Sequence, residues 1–431
     1  MSILIAGGGI GGLAAALSLH AAGLHEVQVL EAATEIRQVG VGVNLPPHAV
    51  RELTELGLGE ALAHHGIPTS ELSYYDRRGK LIWAEPRGLG AGYRWPQYSI
   101  HRGRLQQILF DAVVARMGET VVRTGQRVSG FVPMAAGVRV QVADRSGAIP
   151  ATDRTIEADL LIGADGIRSA VRQSAAPALG ALATNGWMMY RGTTRSGRFL
   201  SGSSMVIIGD EHLRVVVYPI EPGVNNWLLV RPAECGTDQG GTDQGGTDGG
   251  ATGQGATAEL GNWNRSVEPR AIAQCVQDWT FDWLDVPAMV AGSDIAWEYP
   301  MADFDPLSQW VFGRAALLGD AAHAMYPFGS NGASQAILDA RVLAWQLAVQ
   351  PDIDAALVAY QAERLPVASA VQLANRRQAN DVMAKVSAMV RRDAHAGAQA
   401  ELKEVEARYK RLAGFDAETL NARASWSVGG R

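Results

Sequence analysis

The sequence predicts an α/β protein, and three observations carry that expectation. The chain opens on an apolar strand, a glycine turn and a helix ("SILIAGGGIGGLAAAL"), followed by a second buried strand, which makes a βαβ unit. From about Trp187 to Arg231 strand follows strand, the pattern of an antiparallel sheet. "RAALLGD" and a long helical pattern then return the chain to the first kind of organisation. Together these describe a Rossmann-type dinucleotide-binding domain with an inserted antiparallel β-sheet domain and C-terminal helices.

In order, Ser2–Ala6 is a strand, Ile10–Ala22 a small-residue helix and Val27–Leu30 a strand closing on Glu31. Prolines start a helix in "LPPHAVRELTELGLGEAL". Leu72–Glu85 forms a hairpin around Arg77-Arg78-Gly79, Arg104–Met117 is helical, and alternating segments such as "GVRVQVAD" lead to Asp159–Ile162. "WMMYRGTT", "SMVIIG", "LRVVVYPI" and "NNWLLVR" build the inserted sheet. Gly236–Thr257 is a Gly/Thr/Asp/Gln repeat whose composition cannot bury a core and so predicts a mobile loop. "DIAWEYPM" and "RAALLGD" are strands, Ser330–Val349 and Ile353–Glu363 helices, and "KEVEARYKR" in the tail a solvated helix face. The division expected is a nucleotide domain in three parts (1–70, 96–175 and 295–364), a sheet domain from 71–95 and 176–294, and a helical tail, 365–431.

The composition excludes several classes. A formal charge of −6, from 38 basic and 44 acidic residues, leaves no nucleic-acid footprint. Cys235 and Cys275 are far apart and form no CxxC, so they read as reduced thiols, with neither disulfide nor metal site. No run approaches the roughly 18 apolar residues of a membrane span, and the chain enters its first strand at once, without a signal peptide. The expectation is a soluble cytoplasmic protein.

Three motifs carry chemistry. In Gly7-x-Gly9-x-x-Gly12, with Gly11 alongside, the first glycine makes the turn, the second admits a pyrophosphate to the backbone, and the third lets helix and strand pack. The phosphate meets free N–H groups at the positive helix end, and Glu31 stands where a carboxylate reaches ribose hydroxyls. No second fingerprint of this quality exists; Gly88–Gly92 lacks the flanking strand and helix. "ADLLIGADGIRSAVR" is strand, turn and helix start, with Asp165 either a ligand group or an ordinary cap. "LLGDAAHAMYPFGSNGASQAILDA" combines Gly319-Asp320, bare backbone and a helix start near Gly332.

As a set, Gly7–Gly12, Glu31, the Gly163–Gly166 turn and Gly319-Asp320 resemble the FAD-dependent aromatic hydroxylase family, the single-component monooxygenases that include 4-hydroxybenzoate hydroxylase. The similarity runs to about Arg364. It implies FAD as cofactor, with Asp320 on the ribityl chain, Gly332 and Ala333 at the pyrimidine end of the flavin, and Asp165 in a motif shared by FAD and the nicotinamide donor. Arg102 would contact the phosphates, Val128 would lie near the adenine, and Val43 is counted with the cofactor-binding residues and with the apolar pocket. NADH or NADPH would dock transiently as reductant, and oxygen would react as a flavin C4a-hydroperoxide with a small aromatic substrate. The protein then needs no catalytic side chain, which makes His323 structural. "EIRQVGVGVNLPPHAV", "PQYSIHRGRLQ", "WMMYRG" and "MYPFGSNGASQAILD" resemble the phenazine-carboxylate hydroxylase subgroup of pyocyanin formation, while Phe328, Asn331, Ala333 and Ser334 depart from the general family pattern.

Trp187, Tyr190, Tyr218, Tyr299, Met301 and Phe328, near these motifs, are the expected lining of a flat apolar substrate pocket. Arg191 is open between carboxylate ligand and strand charge, and Arg195 reads as solvated. Baeyer–Villiger oxygenation or epoxidation, and a FAD-holding redox sensor, stand as alternatives. A halogenase would carry Trp-x-Trp-x-Ile-Pro, which is absent. The charged tail leaves room for a homodimer.

Overall fold

The computed structural model describes residues 1–37, 40–144, 154–233, 265–392 and 395–427. Cys235 and the Gly236–Thr257 repeat lie outside the described residues, and Cys275 is a free, half-buried thiol. Two sheets organise the rest. The first has six strands in the order Val311–Phe312, Ala315–Leu317, Leu160–Gly163, Ile3–Ala6, Val27–Leu30, Val122–Arg123, all parallel except the Val311 edge pair. Its strands are nearly continuous apolar runs, as burial on both faces requires.

The helix Ile10–Ala21 packs against this sheet and against the helices Arg102–Met117 and Gly332–Val349. Its small residues permit the approach: a Cβ on Gly11 would stand 2.9 Å from Leu318 Cδ1 and 3.3 Å from Ala336 Cβ.

The second sheet has eight strands: Arg265–Val267, Ala296–Asp303, Ala183–Arg195, Val224–Pro232, Arg214–Glu221, Ser204–Gly209, Glu71–Tyr75 and Leu81–Pro86. The Glu71–Pro86 hairpin, far away in sequence, thus becomes its edge. The sheet is antiparallel as expected, except where Ser204–Gly209 runs parallel to Glu71–Tyr75. One face covers the helices near 269–291, and the other faces the nucleotide sheet.

Two expectations are corrected. The helix read as ending at Glu363 continues through Pro366 to Arg392. It survives the proline because the turn before it is fixed by packing: Arg364 is buried, with Nε donating to Asp339 Oδ1 (2.8 Å) and Nη2 to Gln335 Oε1 (2.6 Å). The tail helix His395–Leu412 is not solvated all round. Leu402, Val405 and Tyr409, at i, i+3 and i+7, face the protein, and Leu402 and Tyr409 are buried.

Candidate active site

A cavity of about 700 Å³ opens between the carboxyl ends of the parallel strands and the inner face of the eight-stranded sheet, the place where open α/β sheets bind ligands. From the first side come the Gly7–Gly11 turn, Glu31, Asp165 and Gly319-Asp320. From the second come Arg191, Met205, Ile207, Val216, Tyr218, Leu228 and Val230, alternate residues of four strands, as a period of two dictates.

Of the residues singled out in the sequence, Gly7, Gly9, Gly11, Glu31, Val43, Arg102, Val128, Asp165, Asp320, Gly332, Ala333, Tyr218 and Phe328 line this cavity. Gly12 does not. It is a packing glycine, since a Cβ there would sit 2.0 Å from the carbonyl oxygen of Gly7. Trp187, Tyr299 and Met301 stand behind the lining, in one apolar cluster with Tyr218 and Phe328. Tyr190 faces away. Because Arg191 points at the cavity, its neighbour must point to the other face, where Tyr190 packs near Val217 and Trp227 and its hydroxyl accepts from Arg231 Nη2 (3.1 Å).

The first turn is tight and leaves its backbone open to the cavity. Gly7 has φ +103°, and a Cβ on it would collide with the Ala164 carbonyl at 2.5 Å. At Gly9 a Cβ would meet nothing within 4 Å, so the space in front of it is open. The helix that follows has no side-chain cap, and neither has the helix starting at Gly332. Two uncapped, electropositive helix ends therefore open on one cavity. Glu31 Oε2 accepts from Gly8 N–H (2.6 Å) and Oε1 from Ala33 N–H (2.7 Å); each oxygen keeps a lone pair for a hydroxyl.

Asp165 is occupied differently. Its Oδ1 accepts from Ser169 Oγ (2.5 Å) and its Oδ2 from Ala170 N–H (2.7 Å), so the side chain caps the short helix Ala170–Ala175. Burial raises its carboxyl above the ordinary range.

Arg191 Nη2 donates to the Gly42 carbonyl (2.9 Å), and Gly42 N–H donates to Asn226 Oδ1 (2.6 Å), so this arginine fastens the Gly42–Leu45 strand to the sheet. Burial lowers its guanidinium and pushes the Tyr218 hydroxyl beside it up to about 12. Arg195 is exposed.

His323 is fully buried and outside the cavity lining; its Nε2 lies 2.6 Å from Asp339 Oδ2. The same carboxylate accepts from Gly319 N–H (3.0 Å) and Arg364 Nε (2.8 Å), and so holds the Gly319-Asp320 turn in place. Burial alone would raise Asp339; His323 and Arg364 overcome it and hold the carboxyl at about 2. The sequence reading missed Asp339, although the only carboxylate within the largely apolar helical stretch "QAILDARVLAW" is a signal that partners are waiting for it.

Residues 1–244 and 264–374 match the family described as FAD binding domain. The chain belongs to this family. Over 382 residues it is 44% identical to phenazine 1,6-dicarboxylic acid hydroxylase of Lysobacter antibioticus, covering 87% of this chain and 89% of that protein. Over 373 residues it is 30% identical to aurachin C monooxygenase/isomerase of Stigmatella aurantiaca, with 85% of each covered. Among solved structures, a salicylate hydroxylase substrate complex superposes with a TM-score of 0.72 at 24% identity, covering 98% of this chain and 97% of that one; this likeness bears on the fold. The chain is an FAD-dependent monooxygenase. The open glycine turn, the two uncapped helix ends and the cavity-lining Glu31 fit FAD.

Proposed function

We propose that this monooxygenase hydroxylates a planar N-heteroaromatic carboxylate of the phenazine type, with NADH or NADPH as a transient reductant. The 44% identity to a protein named phenazine 1,6-dicarboxylic acid hydroxylase, over most of both chains, carries the reading. The wide, largely apolar wall formed by Met205, Ile207, Val216, Tyr218 and Phe328 supports it, because a large flat ring buries more against such a wall than a phenol does.

Bound FAD supplies the activation of oxygen; the chain's own groups bind, orient and exclude water. The Gly7–Gly11 turn and the helix end behind it hold the pyrophosphate, with Arg102 on the phosphates. Glu31 takes the ribose and Val128 borders the adenine. Asp320 takes the ribityl hydroxyls, and the N–H groups at Gly332 and Ala333 favour negative charge on the pyrimidine edge. Asp165 acts through the turn it caps, and Val43, Tyr218 and Phe328 set the ring's plane. Trp187, Tyr299 and Met301 act from behind that surface. No side chain need serve as acid or nucleophile.

The same proposal includes the three-part nucleotide domain of 1–70, 96–175 and 295–364, a cytoplasmic location and a homodimer. No helix among the described residues is long and apolar enough to cross a membrane.

The test is NADH and NADPH oxidation in the presence of phenazine-1-carboxylate, a quinoline carboxylate and salicylate, with labelled dioxygen. The expected result is faster oxidation with the polycyclic acids and one labelled oxygen in the product. Peroxide without a labelled product reduces such a ligand to an effector. Oxygen inserted beside a carbonyl supports a Baeyer–Villiger reaction instead.

A further inference from the structure

The family match ends at residue 374, yet the chain beyond it reaches the site. In the helix His395–Leu412, Glu406 and Tyr409 lie one turn apart, and with Phe415 they form one side of a second cavity of about 100 Å³. The sheet forms the other side through Leu72, Tyr74 and Ile207. Ile207, Val216, Phe328 and Gly329 line both this chamber and the main cavity, so the two adjoin. The chamber is smaller than the roughly 150 Å³ apolar cavity that takes a benzene, and Arg87, Arg214 and Glu406 line it beside its apolar residues; it suits the edge of a fused-ring system whose reacting ring lies in the main cavity. At its polar end Arg87 lies 3.6 Å from Glu406 and pairs with Glu85.

The tail that makes this wall is anchored at both scales. Arg51 Nη1 donates to the carbonyls of Leu420 (3.2 Å) and Arg423 (2.9 Å), and Ser425 Oγ donates to Glu52 Oε2 (2.6 Å). Nearer the site, Asn331 Nδ2 donates to the Tyr409 hydroxyl (2.8 Å), which donates to Asn375 Oδ1 (2.8 Å). His48 Nε2, 3.0 Å from Asn331 Oδ1, completes the chain, and burial keeps that imidazole neutral, at about 3. Gly329 lies so close that a Cβ there would stand 2.2 Å from the Tyr409 hydroxyl oxygen. Asn331 and Gly329 both line the main cavity.

We propose that the segment Leu402–Leu420 is the specificity wall of the substrate site, seating the part of a fused-ring acid that extends beyond the reacting ring, with Tyr409 as the positioning residue that ties this wall to the Pro327–Gly332 loop. The inference rests on the substrate reading above. Full-length, FAD-loaded protein is titrated with phenazine-1-carboxylate and with salicylate. Binding is followed through the flavin absorbance, coupling through hydrogen peroxide formed per NADH, and folding through the melting temperature.

Leu72→Trp fills the chamber from the sheet side. It is expected to weaken phenazine-1-carboxylate binding by about tenfold or more and to leave salicylate binding unchanged; Leu72→Phe decides the matter if the tryptophan variant does not fold. Tyr409→Phe keeps the ring but loses both hydrogen bonds. It is expected to retain FAD while raising peroxide per NADH and shrinking the absorbance change on binding. Equal effects of the Leu72 variants on both probes, or none, overturn the chamber while the substrate reading stands. Unchanged coupling and absorbance response in Tyr409→Phe overturn the positioning role. Wild-type protein that binds salicylate but not the phenazine acid removes the substrate reading and the wall together.

Discussion

Tyr190 and Arg191 are neighbours in the chain and end on opposite faces of one sheet. Trp187 to Arg191 in "WMMYRG" are all bulky, so their pattern does not show which alternate set faces the ligand. That phase comes from long-range packing, and it separates Tyr190 from the other pocket residues. The glycines were legible because each answers a local demand of the turn. They also differ in what a methyl group would meet, which makes two predictions. Gly12→Ala drives its Cβ into the Gly7 carbonyl at 2.0 Å, so melting temperature and FAD content should both fall. Gly9→Ala has room within the protein, so the apoprotein should melt like wild type while FAD retention drops. A Gly9→Ala protein that keeps full FAD would remove the pyrophosphate from that turn. For Asp320, loss of a charge-assisted hydrogen bond costs about 1.5–3 kcal/mol, so Asp320→Ala should weaken FAD binding by a factor of tens, measured by ultrafiltration. Unchanged affinity would take the ribityl role from this residue.

The helix Gly332–Val349 was legible as an element from its apolar period, but what fixes its start was not. Asp339 draws His323, the Gly319 N–H and Arg364 onto one carboxylate, joining the Gly319-Asp320 turn, this helix and the one after it. No spacing in the sequence announces a three-way junction of that kind. The same gap explains the helix that runs past Pro366 and the buried stripe of the tail helix, both of which depend on partners distant in sequence. The junction has a pH signature. Asp339 is held at about 2 in the folded protein, below the roughly 3.9 of a free aspartate. A depressed carboxyl contributes stability that is fully present above its unfolded value and is lost as pH falls through its folded one. The contribution is on the order of 2–3 kcal/mol. The urea midpoint of Asp339→Asn should therefore lie below that of wild type by a constant margin above pH about 5, and the margin should close between pH about 4 and 2. A margin that widened on acidification would mean that the carboxylate is not stabilised by its partners.

At the scale of the whole molecule, the site exists because two sheets face each other across a gap that neither closes alone. The βαβ opening, the strand series and the return at "RAALLGD" made that interleaving legible, since each change of period marks a passage between the sheets. The order within the second sheet was harder to read, because Glu71–Pro86 joins it across more than a hundred residues of intervening chain and pairs in parallel with Ser204–Gly209. In sequence, the Gly236–Thr257 repeat lies between two strands of the second sheet. The flanking strands Val224–Pro232 and Arg265–Val267 are each paired within the sheet, to Ala183–Arg195 and Ala296–Asp303 respectively, through their own backbone. The repeat itself carries no apolar side chain larger than alanine. Loop closure depends weakly on length, about 0.6 kcal/mol per doubling. Removal of Thr237–Thr257 should therefore leave the melting temperature, FAD content and substrate-stimulated NADH oxidation close to wild type. Because both anchoring strands belong to the sheet that walls the cavity, the deletion also separates two roles for the repeat. If the shortened protein keeps its FAD and its melting temperature but loses the response of flavin absorbance to substrate, the repeat takes part in binding. If all three measurements hold, it is a spacer between strands.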